Sequence, residues 1–132
     1  MGLKTKLTTK GFEDYLERLA AAGADIDGIS DKALAAGGAV LTAGMRRRVP
    51  KDTGNLEENL TVTEPMQDGN FHFIEVGLVA GMVDAKTAIY GNVQEFGSSD
   101  VAAQPYIRPT MDEDMGKARK EMRKVFEEEG AL

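Results

Sequence analysis

The chain has 132 residues and a formal net charge of −6, from 22 acidic and 16 basic side chains. That is enough for one domain with a real core, here taken as residues 1–132, and the acidic balance excludes a chain built as a whole to coat nucleic acid. It has no cysteine, which excludes disulfides, a thiol nucleophile and a cysteine metal cluster.

The lack of cysteine fits a reducing cytoplasm. No apolar run approaches the ~20 residues of a membrane span, and the N-terminus lacks the apolar core of a signal peptide. The expectation is a soluble protein made and assembled in the cytoplasm, with no membrane partner. There is no internal repeat and no low-complexity linker.

Leu3 to Thr9 alternates weakly through Leu3, Thr5 and Leu7 and predicts a short strand. A first helix is expected from about Phe12 to Ala22, with Phe12, Tyr15, Leu16 and Leu19 on one face and Gly23 ending it. Ser30 or Asp27 is the expected cap of a second helix that reaches Val49. Leu34, Leu41, Met45 and Val49 lie on one side of it, and Ile29, Ala33, Ala36 and Val40 on another. Two apolar faces imply a helix held between neighbours. Gly37, Gly38 and Gly44 each cost roughly 1 kcal/mol in a helix, so they mark either close approach of another element or a kink that divides the helix.

Arg46, Arg47 and Arg48 fall in the last turn, where cations meet the negative end of the helix dipole. Pro50 then restricts Val49 to an extended shape and stops the helix. Leu60 to Met66 alternates as a strand, and Pro65 places it at an edge or a strand end. Asp68-Gly69 signals a hairpin turn, with Phe71 to Val79 as the returning strand. Phe71 and Phe73 face one way and Ile74, Val76 and Leu78 the other, which suggests a bulge or a strand covered on both faces. Ala80 to Lys86 reads as a loop.

Ile89, Val93 and Phe96 fall at i, i+4 and i+7, one apolar face of a short helix, and Gly97 follows where a left-handed residue ends a helix. Pro105 and Pro109 bracket Tyr106, Ile107 and Arg108. Pro109 stands where a first helical residue belongs, since its missing N–H would be unpaired there anyway. The final helix is expected from about Pro109 to Glu128, about 30 Å long. Met111, Met115, Ala118, Met122 and Val125 form its stripe. Asp112, Glu113 and Asp114 suit its positive end, while Glu127, Glu128 and Glu129 sit at the wrong end for the dipole and should fray.

Little of this is catalytic chemistry. Asp52-Thr53-Gly54 is the tripeptide that carries the aspartate of aspartic proteases, where two chains share a proton. That site needs the tripeptide at the end of a buried strand, whereas here it follows a helix end. The alternative is a turn, with Asp52 bonding backbone amides and Gly54 supplying a positive φ. The arginine triplet could contact DNA phosphates, compensate the dipole, or bridge to an acidic neighbour such as the Asp112–Asp114 cluster. His72, the only histidine, has no acidic or histidine partner nearby in sequence and reads as a surface or edge residue without a role. No EF-hand or HExxH spacing exists, so no metal or other cofactor is expected. The methionine stripe is either core or an adaptable subunit contact. Tyr106 and Arg108 have the residue types enriched at interface hot spots, or Tyr106 simply plugs the sheet.

Three segments carry a family resemblance. Tyr90-Gly91-Asn92-Val93-Gln94-Glu95-Phe96-Gly97-Ser98 resembles the Y-A-x-x-V-E-F-G-T segment of the tail-completion (neck) proteins of tailed bacteriophages, small minor tail components of lambdoid and related siphophages. Gln104-Pro105-Tyr106-Ile107-Arg108-Pro109 resembles that family's Q-P-F-L-R-P, and Val49-Pro50-Lys51-Asp52-Thr53-Gly54-Asn55-Leu56 its V-P-x-D-T-G-x-L after a long helix. The order and spacing agree across most of the chain. Gly91 for alanine, Gln94 for an apolar residue, Ser98 for threonine and Tyr106 for phenylalanine are the departures.

The resemblance implies a virion protein of the phage neck. It would form a hexameric ring between the head-side connector or head-closure protein and the tail terminator or tail tube, with DNA passing through the lumen. The expected fold is α+β: a small, mainly antiparallel sheet packed against N-terminal helices and a long C-terminal helix. The residues expected at interfaces are Arg46, Arg47, Arg48, Asp52, Thr53, Gly54, Glu95, Phe96, Gly97, Pro105, Tyr106, Arg108 and Pro109. The competing functions are a dimeric aspartic-type peptidase using Asp52, which needs a strand before that residue, and a DNA-binding module using Arg46–Arg48, which needs steeply salt-dependent affinity.

Overall fold

The computed structural model describes residues 3–51 and 54–131. Its order is β1 (Leu3–Thr8), α1 (Glu13–Ala21), α2 (Ile26–Arg48), α3 (Asn55–Asn59), β2 (Thr61–Val62), β3 (Met66–Asp68), β4 (Phe71–Leu78), α4 (Ala85–Phe96) and α5 (Ile107–Phe126), followed by a turn at Glu127–Ala131 that kinks at Gly130, φ 104°. The α+β architecture is as expected. β4 is the centre of an antiparallel sheet, with β1 along one edge and the short β2 and β3 on the other.

Alternation decides the two faces of the sheet. Thr5 and Leu7 of β1, with His72, Ile74, Val76 and Leu78 of β4, are buried. Lys4 and Lys6 point to the other side, where Lys4 pairs with Glu75 at 2.8 Å and the Lys6 ammonium lies 4.1 Å from the centre of the Phe73 ring. The register between β1 and β4 runs unbroken from Leu3↔Leu78 to Thr8↔Phe73. The bulge expected at Phe73-Ile74 is therefore absent, and one covered face accounts for the pattern. The strand expected from Leu60 to Met66 is two short pieces separated by a gap that contains Pro65. The hairpin turn is Gly69-Asn70, one residue later than expected. Gly69 alone supplies a positive φ, of 63°, as a primed turn of the II′ kind requires.

α2 is one continuous helix, and its glycines serve contact rather than a kink. A Cβ on Gly37 would lie 2.7 Å from Leu7 Cδ2 and 3.0 Å from Met122 Cγ; one on Gly38 would lie 2.7 Å from Ile74 Cδ1. The two 2.7 Å distances are too short for a real side chain and the 3.0 Å one is tight, so the missing methyls let α2 approach the sheet and α5 together. α2 and α5 pack antiparallel, with Arg48 beside Asp114 at one end and Lys32 beside Glu129 at the other. The core fills with Leu34, Leu41, Met45, Ile74, Val76, Met122 and Phe126. Phe126 also closes an aromatic cluster with Phe12, ring centres 5.1 Å apart.

Several local expectations need correction. The cap of α2 is Asp25, whose side chain accepts from the Gly28 N–H at 3.2 Å, rather than Ser30 or Asp27. Ser30 is buried within the helix. His72 is buried rather than at the surface, and its ring nitrogens lie 3.0 Å from Asp27 and 3.1 Å from Asp31, both on α2. α5 begins two residues before Pro109, at Ile107, so the proline occupies the third helical position, still inside the first turn. Met111 of the predicted stripe is 40 % exposed; Thr110 and Asp114 take the buried face in that turn. Beyond α5, Glu129 is held by Lys32 at 2.7 Å rather than left to fray.

Candidate assembly surface

The corner between α4 and α5 is built around Glu95. Asp84 caps the start of α4 by accepting from the Thr87 N–H at 2.7 Å. Gly97 ends the helix at φ 78°, and its N–H reaches the Val93 carbonyl at 2.7 Å. The chain then loops out and returns, with Gln104 N–H donating to the Gln94 carbonyl at 2.7 Å. This sets the buried Glu95 carboxylate against the start of α5. Its Oε1 accepts the backbone N–H groups of Tyr106 at 2.9 Å and Ile107 at 2.8 Å, and its Oε2 that of Arg108 at 3.0 Å. Tyr106, at the cap position, supplies no side-chain cap of its own. Glu95 thus caps from another helix, supplying both acceptors and negative charge at the positive end of α5.

Tyr106 is the plug, fully buried. Its hydroxyl donates to the Gly91 carbonyl at 3.2 Å. Burial first, and the Glu95 charge second, push the phenol far above its ordinary value. This geometry accounts for two of the departures from the family motif together. A Cβ on Gly91 would press on Leu78 Cδ1 and lie 2.8 Å from the Tyr106 hydroxyl. A chain with tyrosine here has less room for alanine there. Gly91→Ala alone is expected to destabilise by about 1–3 kcal/mol through overpacking. Adding Tyr106→Phe should return part of that loss, a favourable coupling of about 0.5–1 kcal/mol in a double-mutant cycle read by urea unfolding. Strict additivity would mean that the hydroxyl and the methyl do not compete.

The other side of α4 faces outward. Ile89 is 64 % and Phe96 69 % exposed, while the buried positions are Thr87, Ala88, Gly91, Gln94 and Glu95. The predicted apolar face is real, but it does not meet the core. Val101 and Pro105 are also exposed in the following loop, as is Arg108 at the start of α5. Gly97 and Pro109 are half-buried.

The arginine turn is engaged within the chain. Arg48 reaches Asp114 Oδ2 at 2.6 Å, Glu113 Oε2 at 2.5 Å, Thr110 Oγ1 at 3.1 Å and the Gly44 carbonyl at 3.1 Å. Arg47 reaches Asp114 at 3.0 Å. The acidic cluster expected on a neighbouring subunit is thus met in the same molecule. Arg46 stays exposed. Asp52 and Thr53 lie outside the described residues. Gly54 has the expected positive φ, of 75°, and opens α3. α2 runs to Arg48 and is followed only by Val49, Pro50 and Lys51, so the strand that a peptidase reading of Asp52 requires is not there.

A second apolar surface went unnoticed in the sequence. Ala35, Ala39 and Ala43, one row of α2, line an open groove of about 640 Å³ with Gly38, Thr42, Arg46 and Val62. Its signal was the alanine spacing of four on the α2 face turned away from both core stripes. Among the described residues, no group of His, Asp and Glu side chains is disposed to hold a metal ion, and no helix is long and apolar enough to cross a membrane.

A protein-family model described as "Bacteriophage HK97-gp10, putative tail-component" matches residues 10–97. The match takes in the helix, the arginine turn and the Tyr90–Gly97 segment; the Gln104–Pro109 segment lies beyond it. No curated protein matches the chain, and no solved structure does. A match over this much of the length places the chain in the HK97 gp10-like family of bacteriophage tail components.

Proposed function

We propose that this protein is a structural subunit of the phage neck, forming a ring of copies that completes the tail and joins it to the head connector. Its work would be assembly rather than catalysis. The observation that carries this reading is the inverted α4, which turns Ile89 and Phe96 to solvent and keeps its small and polar side inward. Covering each large apolar side chain stabilises by about 1.5–3 kcal/mol, so a free subunit forgoes stabilisation that an assembled one gains. The loops at residues 80–84 and 97–105 flank that helix and would supply contacts to adjoining rings, and ordering them only on contact would oppose premature ring formation. The ion pairs that occupy Arg47 and Arg48 weigh against a primary role in binding DNA.

The test is negative-stain microscopy of lysates from the phage or prophage with this gene deleted. Filled heads lying beside separate tails are expected, with joined particles restored by the gene in trans. Joined, infectious particles from the deletion would overturn the neck assignment.

A further inference from the structure

The outward face of α4 and the alanine groove of α2 complement each other. One presents the exposed Ile89 and Phe96 with the half-buried Val93 between them, bulky and apolar; the other is an apolar trough whose side chains are mostly alanine-sized. They lie in different parts of the molecule. α4 sits past the C-terminal end of β4, in contact with β1 and α3, whereas the groove runs along the middle of α2 beside Val62 of β2. The flanking charges are also opposite. Arg46 stands at the groove, and Asp100 follows Phe96 in the turn closed by Ser98 N–H and the Val101 carbonyl. Both are exposed, and among the described residues neither is held in an ion pair.

We propose that the Ile89/Val93/Phe96 face of one copy docks into the Ala35/Ala39/Ala43 groove of a second copy, head to tail, with Asp100 of the first copy beside Arg46 of the second. A helix laid in an apolar groove is a common mode of recognition. A contact between two different patches leaves one knob and one groove open on every added copy. It therefore propagates and closes into a ring when the rotation permits, whereas a patch that pairs with itself stops at two. This deepens the assembly reading above and rests on it for its setting in the particle, but the contact itself can be measured on the isolated chain.

The chain has no cysteine, so introduced thiols report contacts without background. Phe96→Cys and Ala39→Cys both fall at exposed positions, where folding is not at stake. Mixed in concentrated solution and oxidised, the two single variants should give a band at twice the chain mass that neither gives alone; a chain carrying both should give a ladder. Arg46→Glu introduced into the Ala39→Cys chain should weaken the band, and Asp100→Arg in the Phe96→Cys chain should restore it. A Phe96→Cys band equal to that of the mixture, or no band in the mixture, would overturn the docking. In the gene-deleted phage, joined particles restored by the Ile89→Asp/Phe96→Asp double variant would also overturn the docking, while leaving the neck reading intact. Failure of the unaltered gene to join heads to tails would remove the neck reading instead.

Discussion

Glu95→Ala is expected to lower the unfolding free energy by about 3–5 kcal/mol, because three backbone N–H groups lose their acceptor at a buried helix start. Glu95→Gln makes the account specific. Its one remaining carbonyl oxygen can keep the Tyr106 and Ile107 amides, which share Oε1, but its NH2 group then faces the Arg108 N–H. The expected cost is smaller, about 1–3 kcal/mol. Urea unfolding at pH 7 should show both midpoints lowered with the slope unchanged, alanine more than glutamine. Amide exchange should accelerate first at Tyr106, Ile107 and Arg108. Equal midpoints for the two variants would mean that Glu95 contributes by packing alone. The corner also anchors the exposed Gly97–Pro105 loop at both ends, so the glutamine variant offers a way to loosen that loop in a folded subunit and ask whether assembly depends on it.

α4 shows how far the sequence could be read. The spacing of Ile89, Val93 and Phe96 located a helical face, but periodicity says that a face exists, not what covers it. The side that meets the core reads as poor core material: Thr87, Gly91, Gln94 and Glu95. It is buried because Gly91 makes room for Tyr106 and because Glu95 finds its donors on α5, more than ten residues away. Long-range pairing also hid His72, whose two carboxylate partners lie 41 and 45 residues distant. Asp27 lies inside α2 and does not cap it, because the helix already begins at Ile26 behind the Asp25 cap. Gly37 and Gly38 were half legible: their cost in a helix called for either close neighbours or a kink, and only the approach of Leu7, Met122 and Ile74 to an unbroken α2 decides for close neighbours. The arginine turn was half legible. The dipole argument placed the charges correctly, but only the antiparallel packing of α2 on α5 showed that Asp114 of the same chain receives them.

That ion pair gives the second large effect. Asp114→Asn is expected to cost about 2–3 kcal/mol at pH 7, since it removes the buried carboxylate that Arg47 and Arg48 share and leaves the mostly buried Arg48 guanidinium with only the exposed Glu113. Hydrogen bonding from Arg48, aided by its charge and by Arg47, holds the Asp114 carboxyl below its ordinary value, against the opposing effect of burial. A carboxyl lowered in the folded state contributes stability that is fully present above its unfolded value, about 3.9. That stability is lost as the pH falls through the folded value. The difference in unfolding free energy between the unaltered chain and Asp114→Asn should therefore hold from pH 7 to about 5 and shrink below about 4. A difference that grows in acid would refute this assignment. Thr110 joins this pair to the Glu95 corner: its hydroxyl donates to the Tyr106 carbonyl at 2.6 Å and accepts from Arg48 at 3.1 Å. Both sites therefore hold the start of α5, Glu95 from α4 at its first amides and Arg48 from the end of α2 at Thr110, Glu113 and Asp114. Glu95→Gln combined with Asp114→Asn should deviate from additivity by about 0.5–3 kcal/mol, and strict additivity would show that the two anchors act on the start of α5 independently.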